Sequence, residues 1–221
     1  MNHQKKIVTI IFSVILVFLI GARRSQRIHG KVVCFGDSIT NGAHVDGHSW
    51  VFFLSMNHPD INFVNAGRNG RKTSDKKQIL PVLKNNPDAN YFLIFLGVND
   101  LKDGTKAEVN QCVQNMKWMI QQIRQTNKNT KILILAPTTI NLMTMAPYNV
   151  RKKYNVNTKK SLVYLKRKYK ALAQQESVQF MSLLHVVSPP NYVDGLHPDI
   201  AGQRQIAHAV WKGMNKIYGG K

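Results

Sequence analysis

The chain reads as an α/β protein, a three-layer α/β/α sandwich around one doubly wound, mainly parallel five-stranded sheet of the flavodoxin-like kind. Two observations carry that expectation. Short β-type runs alternate with longer stretches of helical period along the chain, and most of the runs are continuously apolar instead of alternating with polar residues. A strand with no polar side is one covered on both faces, as in a parallel sheet flanked by helices. No internal repeat or low-complexity linker interrupts the alternation, so the pattern belongs to one domain.

The elements follow in order. The first strand is expected at residues 31–35, where Val32-Val33-Cys34-Phe35 is uniformly apolar. Further strands are expected at 61–65, 91–96, 131–136 and 178–181, and helices at 50–57, 74–85, 106–126 and 158–175. A last helix follows Pro198, which suits a first turn, with Ile206, Val210, Met214 and Ile217 on one stripe.

Four short motifs stand just beyond the ends of these strands. Gly36-Asp37-Ser38 follows the first and Asn65-Ala66-Gly67-Arg68-Asn69-Gly70 closes the second. Gly97-Val98-Asn99-Asp100 follows the third, and Asp194-Gly195-Leu196-His197-Pro198 comes after the fifth. Open α/β sheets bind ligands outside the carboxyl ends of their strands, so four separate segments converge on one edge. Their residue types are those acyl transfer needs: a hydroxyl nucleophile, a base with an orienting carboxylate, and donors for an oxyanion. Singly each motif is weak, since Gly-Asp-Ser is commonly a turn and Asp-x-x-His a surface turn. All four in this order, with the rare Asp-Gly-x-His-Pro among them, are not accidental.

These blocks resemble the SGNH hydrolase superfamily, the GDSL esterases and lipases, whose Ser, Gly, Asn and His fall here on Ser38, Gly70, Asn99 and His197. The resemblance runs from about Lys31 to the C-terminus. Gly70 is preferred over Gly67 because it lies five residues after Asn65, in the Asn-x-x-x-x-Gly form of the block. The resemblance implies a serine esterase in which Ser38, His197 and Asp194 are catalytic. It implies too that the Ser38 and Gly70 N–H groups and the Asn99 amide form an oxyanion hole. Asp37 and Asp100 are expected to be structural, and His44, His48, His58 and His208 to be surface or packing residues. The Gly-x-Ser-x-Gly elbow of the α/β-hydrolase fold is missing around Ser38.

No cofactor or metal is expected. His-Glu-x-x-His and Cys-x-x-Cys spacings are absent, and Lys72 follows Arg71 where a phosphate-binding loop needs Gly. Cys34 reads as core and Cys112 as part of a helix, and two cysteines make no disulfide framework.

Charge is the anomaly. The formal net charge is +20, and no Asp or Glu occurs between Glu108 and Glu176. Such a field attracts an anionic surface or polymer. Residues 7–22 form an uncharged apolar run between Lys5-Lys6 and Arg23-Arg24-Arg27. At 1.5 Å per residue the run spans about 24 Å, near the lower limit for crossing a bilayer. Residues 1–30 are therefore expected to be a signal peptide or membrane anchor and residues 31–221 the hydrolase domain, secreted or anchored outside the cytoplasm. The long connection at 138–157 carries Met143, Met145 and Tyr148, candidates for walling an acyl pocket.

The expected activity is hydrolysis of carboxylic esters through an acyl-enzyme, on an O-acylated cell-envelope polysaccharide or a lipid ester. An acyltransferase would use the same residues. A polyanion- or nucleic-acid-binding protein is the rival from another class, since Gly67-Arg68-Asn69-Gly70 matches a Gly-x-x-Gly loop. Neither the apolar leader nor the Asp-Gly-Leu-His-Pro block has a place in it, and nucleic acid is an unlikely partner. The sequence leaves the oligomeric state open.

Overall fold

A computed structural model describes residues 27–220. The run at 7–22, expected to be a signal peptide or anchor, lies outside the described residues. Among the described residues no helix is long and apolar enough to cross a membrane. Residues His29–Gly213 form one compact unit that contains the sheet and all four motifs, and the last turns of the final helix, from Met214, belong to a second.

Five parallel strands, β1 (Gly30–Gly36), β2 (Ile61–Gly67), β3 (Tyr91–Phe95), β4 (Lys131–Ala136) and β5 (Gln179–Ser182), make one sheet in the order β2-β1-β3-β4-β5. The order reverses at β1, which pairs with β2 on one side and β3 on the other. That reversal is the switch point at which doubly wound sheets open a crevice. The register sets Gly36 level with Gly67 and with Phe95, so the first three motifs leave the sheet at one height.

Among the described residues six helices connect the strands, α1 (Ser38–Asn41), α2 (Trp50–Asn57), α3 (Ile79–Asn85), α4 (Lys106–Thr126), α5 (Pro147–Arg151) and α6 (Val156–Gln175), and a seventh, α7 (Ile200–Tyr218), follows β5. Alternate residues of the strands face opposite layers. Val33 and Phe35 of β1, with Phe92 and Ile94 of β3, join a core completed by one stripe of α4, Val109, Cys112, Met116, Met119, Ile120 and Ile123. Leu162, Leu165, Tyr169 and Leu172 of α6 close the same layer. Each such side chain fully removed from water contributes about 1.5–3 kcal/mol. On the other face Trp50 of α2 meets Phe95 edge-on at 6.2 Å between ring centroids. There the Trp50 N–H donates to Gln203 Oε1 of α7 at 2.9 Å. Cys34 and Cys112 are both buried free thiols.

Two differences from expectation have a hydrogen-bonding reason. The helix expected at 74–85 is split into a 3₁₀ segment, Thr73–Gln78, followed by α3. Thr73 is held by Asp100, which accepts from its N–H at 3.0 Å and from its hydroxyl at 2.6 Å. Asp75 accepts from the Lys72 N–H at 2.9 Å. Such side-chain bonds compete with the α-helical ladder and tighten the turn. The last helix begins at Ile200 instead of Pro198. Pro198 pairs with Tyr192 in an isolated antiparallel bridge, and Asp199 Oδ1 caps the helix by accepting from the Gly202 N–H at 2.8 Å.

Candidate active site

Gly36 ends β1 where only a glycine fits, because a Cβ there would sit 2.1 Å from Thr40 Oγ1. The chain turns at Asp37, whose carboxylate caps α1 by accepting from the Ile39 N–H at 3.0 Å. Ser38 is thereby delivered as the first residue of α1, its N–H without a partner inside the helix. Ser38 Oγ lies 3.0 Å from His197 Nε2, and His197 Nδ1 lies 2.8 Å from Asp194 Oδ2. The other oxygen, Oδ1, accepts from the Leu196 and His197 N–H groups at 3.0 and 2.7 Å. Gly195, with φ of +78°, makes this tight return possible. Two more donors reach Asp194 Oδ2 from α5: the Tyr148 hydroxyl, and Asn149 Nδ2 at 3.0 Å. Burial alone would push the Asp194 carboxyl up, but the hydrogen bonds from His197 and Tyr148 outweigh it and hold the group well below the usual carboxylate range.

Across the cleft stands Asn99. The Tyr154 hydroxyl donates to its Oδ1 at 2.7 Å, and its Nδ2 donates to the Arg71 carbonyl at 3.2 Å. Burial raises the Tyr154 pKa, so the hydroxyl stays a donor and orients the amide. Gly70, with φ of +74°, takes a left-handed turn and lines the same cleft, open space lying where its Cβ would be. Gly67 serves packing instead, since a Cβ there would meet the backbone nitrogen of Asn41 at 2.3 Å. Beneath them Arg71 is buried against the Phe35 ring, 4.1 Å from its centroid, and its Nη1 donates to the Gly36 and Ala66 carbonyls at 2.6 Å each. It ties the ends of β1 and β2 together. Burial, with the nearby Arg68 charge, lowers its pKa to about 10, which leaves it charged at neutral pH.

The cleft over these groups holds about 310 Å³ and is walled by Ser38, Gly70, Asn99, His197 and Tyr148 among others. A hydroxyl, an imidazole, a carboxylate and an amide side chain gathered at one concave site are the kinds of group that acyl transfer requires. The model of the GDSL-like Lipase/Acylhydrolase family matches residues 34–205, spanning all four motifs. The chain belongs to this family.

As a GDSL-like member it is a hydrolase of the esterase and lipase kind. Solved structures agree in fold. A carbohydrate acetylesterase family member from Sinorhizobium meliloti superposes with a TM-score of 0.71 at 19% identity, over 86% of this chain and 99% of that one. The M. smegmatis aryl esterase gives 0.70 at 21%, over 85% and 99%. An acetyl xylan esterase, AlAXEase, gives 0.66 at 20%, over 83% and 98%. No curated protein is a significant sequence match.

Within this GDSL-like site the structure brings together Ser38, Asp194, His197, Gly70 and Asn99, the five positions taken from the motifs. Asp37 and Asp100 are engaged in capping and in holding Thr73, as expected. The connection at 138–157 behaves less simply. Tyr148 lines the cleft, but neither Met143 nor Met145 does. Met143 is 93% exposed, and Met145 packs against the core, its backbone pressed on Gly195. A short 3₁₀ turn, Leu142–Thr144, rotates the methionines away, and α5 presents the next residues instead.

His44, expected as a surface or packing residue, is exposed and packs beside the site: its ring lies 4.7 Å from that of His197 and its Nε2 is 3.9 Å from Asp194 Oδ2. His44, Asp194 and His197 are the one cluster of potential metal ligands among the described residues, but Asp194 and His197 are already committed to the Ser38 hydrogen-bond chain. Tyr154 and Asn149 also escaped sequence reasoning. No spacing links them to the motifs, because they act across separations of 55 and 45 residues.

Proposed function

We propose that this chain is a serine esterase that removes short acyl groups from carbohydrate hydroxyls through an acyl-enzyme formed on Ser38. The hydrogen-bond chain from Ser38 Oγ through His197 to Asp194 carries the reading. With His197 Nδ1–H donating to Asp194, Nε2 is left to accept the serine proton. Ser38 Oγ attacks the ester carbonyl carbon as Nε2 takes that proton. The negative charge moves onto the carbonyl oxygen and is held by the Ser38 and Gly70 N–H groups and Asn99 Nδ2, all residues of the cleft wall. Collapse expels the alcohol, which takes the proton from His197. A water, deprotonated by the same nitrogen, then attacks the acyl carbon; the bond to Ser38 Oγ breaks, Oγ takes the proton back from His197, and the acid leaves.

The acyl size follows from the cleft. About 310 Å³ is at the small end of ligand sites, which suits an acetyl-sized group better than a lipid chain. The carbohydrate acetylesterase family member and the acetyl xylan esterase among the structural neighbours support that preference. Turnover of p-nitrophenyl esters of increasing chain length tests it: kcat/KM should be highest for acetate, and a maximum at octanoate would overturn the reading. The uncharged run at 7–22 supports an exported or membrane-anchored enzyme with its domain outside the cytoplasm. Protease treatment of intact cells tests that location, and a domain digested only after lysis would refute it.

A further inference from the structure

Two lysines stand on the rim of the Ser38 cleft. Lys102 and Lys152 both line it, Lys102 from the turn after the Asn99 motif and Lys152 from the C-terminal end of α5. Each is laid over a tyrosine that belongs to the site. Lys102 Nζ is 5.6 Å from the Tyr154 ring centroid, and Lys152 Nζ is 5.2 Å from that of Tyr148. Those tyrosines hold Asn99 and Asp194, so the two ammonium groups are positioned by the side chains that position the reacting groups.

Neither ammonium forms an ion pair with a carboxylate among the described residues. The adjacent acids are engaged elsewhere: Asp103 pairs with Lys153 at 3.2 Å, and Asp100 accepts from Thr73. Asp194 faces His197. Partial burial, and after it the charges of Lys72 and Lys152, lower the Lys102 pKa against the opposing charge of Asp100. A cleft whose rim carries one sign of charge concentrates ligands of the other.

We infer that Lys102 and Lys152 form an anion subsite, so that the preferred substrates are O-acyl esters on an acidic carbohydrate, with a carboxylate or phosphate close to the acylated hydroxyl. The assignment of the anion to the alcohol side rests on the short-acyl esterase reading above, since an acetyl-sized group has no room for a further acid.

Paired probes test it: 4-acetoxybenzoate and 4-acetoxyphenyl phosphate, each against neutral methyl 4-acetoxybenzoate. The readout is the ratio of kcat/KM, anionic over neutral, in wild type and in Lys102→Gln/Lys152→Gln, so that intrinsic leaving-group differences cancel. The ratio for at least one anion should fall about tenfold in the double variant. It should also fall in wild type between low and high salt, and Lys102→Arg/Lys152→Arg should restore it. Which probe responds tells carboxylate from phosphate. Ratios equal within about twofold in wild type and variant for both anions would overturn the subsite while leaving the esterase intact. If no ester turns over, calorimetric binding of 4-hydroxybenzoate and phenyl phosphate decides separately. Binding lost in the double variant supports the subsite, and binding unchanged or absent in wild type overturns it.

Discussion

Asp37 and Asp194 are both buried, both beside the Ser38–His197 pair, and they are driven in opposite directions. Asp37, at the end of β1, receives the Ile39 N–H, and burial raises its pKa from 3.8 to about 7. Asp194, in the loop before α7, receives two backbone N–H groups, the His197 ring, Tyr148 and Asn149, and it stays ionised. Burial acts on both. The number of donors decides which carboxylate keeps its charge, and so which of the two is fit to hold an imidazolium.

The largest expected effects break the ionised side. Ser38→Ala and His197→Ala should each lower kcat by about 10⁴-fold or more, and Ser38→Ala should abolish labelling by a fluorophosphonate. Asp194→Asn should cost about 10²–10⁴-fold, since the imidazole remains but loses the partner that sets its tautomer. Steady-state kinetics checks all three, and a silent Asp194→Asn would reduce the constellation to a Ser–His pair.

Asn99→Ala removes a donor from the opposite wall and should lower kcat by about 10²–10³-fold with little change in KM. Tyr154→Phe keeps the amide but frees it to rotate, so a fall of about tenfold is expected.

Stability sharpens the contrast between the two acids. The folded pKa of Asp37 lies above its unfolded value, so the folded state binds the extra proton between about pH 4 and about pH 7. The wild type therefore loses stability as pH rises through that window, and the loss is complete above it. Asp37→Asn keeps a side-chain cap and removes the charge. In urea titrations it should match wild type near pH 4 and exceed it at pH 8 by up to about 4 kcal/mol. Equal stabilities at pH 8 would mean that the Asp37 carboxylate is better solvated than its burial implies.

The smallest effect belongs to Tyr148→Phe, which takes one donor from Asp194. Because the folded pKa of Asp194 is depressed, its contribution is present above the unfolded value of about 4 and is lost as pH falls below it. The variant should be less stable by about 1 kcal/mol at pH 7, and the difference should shrink in acid.

Much of this was legible in the sequence because it is local or periodic. The continuous apolar run of β1 and the single stripe of α4 can produce little else. The motif residues could be placed at one edge because each follows a strand. What escaped depends on contacts far apart in the chain. His44 sits in a turn with φ of +64°, and nothing nearby in sequence hints at Asp194, 150 residues later. Met143 and Met145 were misplaced because composition shows a loop to be apolar but not which way its turns point. The helix at 74–85 was split by Asp100, a residue outside the window in which periodicity is read.

The connection at 138–157 and the Asp194 loop are joined by backbone as well as by side chains. The Asn141 N–H donates to Gly195 O at 2.7 Å, the Ala146 N–H to Asp194 O at 3.1 Å, and a Cβ at Gly195 would strike Asn141 O at 2.5 Å. This long connection therefore shares its scaffold with Asp194. Laboratory evolution aimed at new substrates through this loop should meet a trade-off, with many changes that admit a new ester also slowing turnover of every ester. Changes at Lys102, which lies outside this connection, should be the freer route to a new substrate preference.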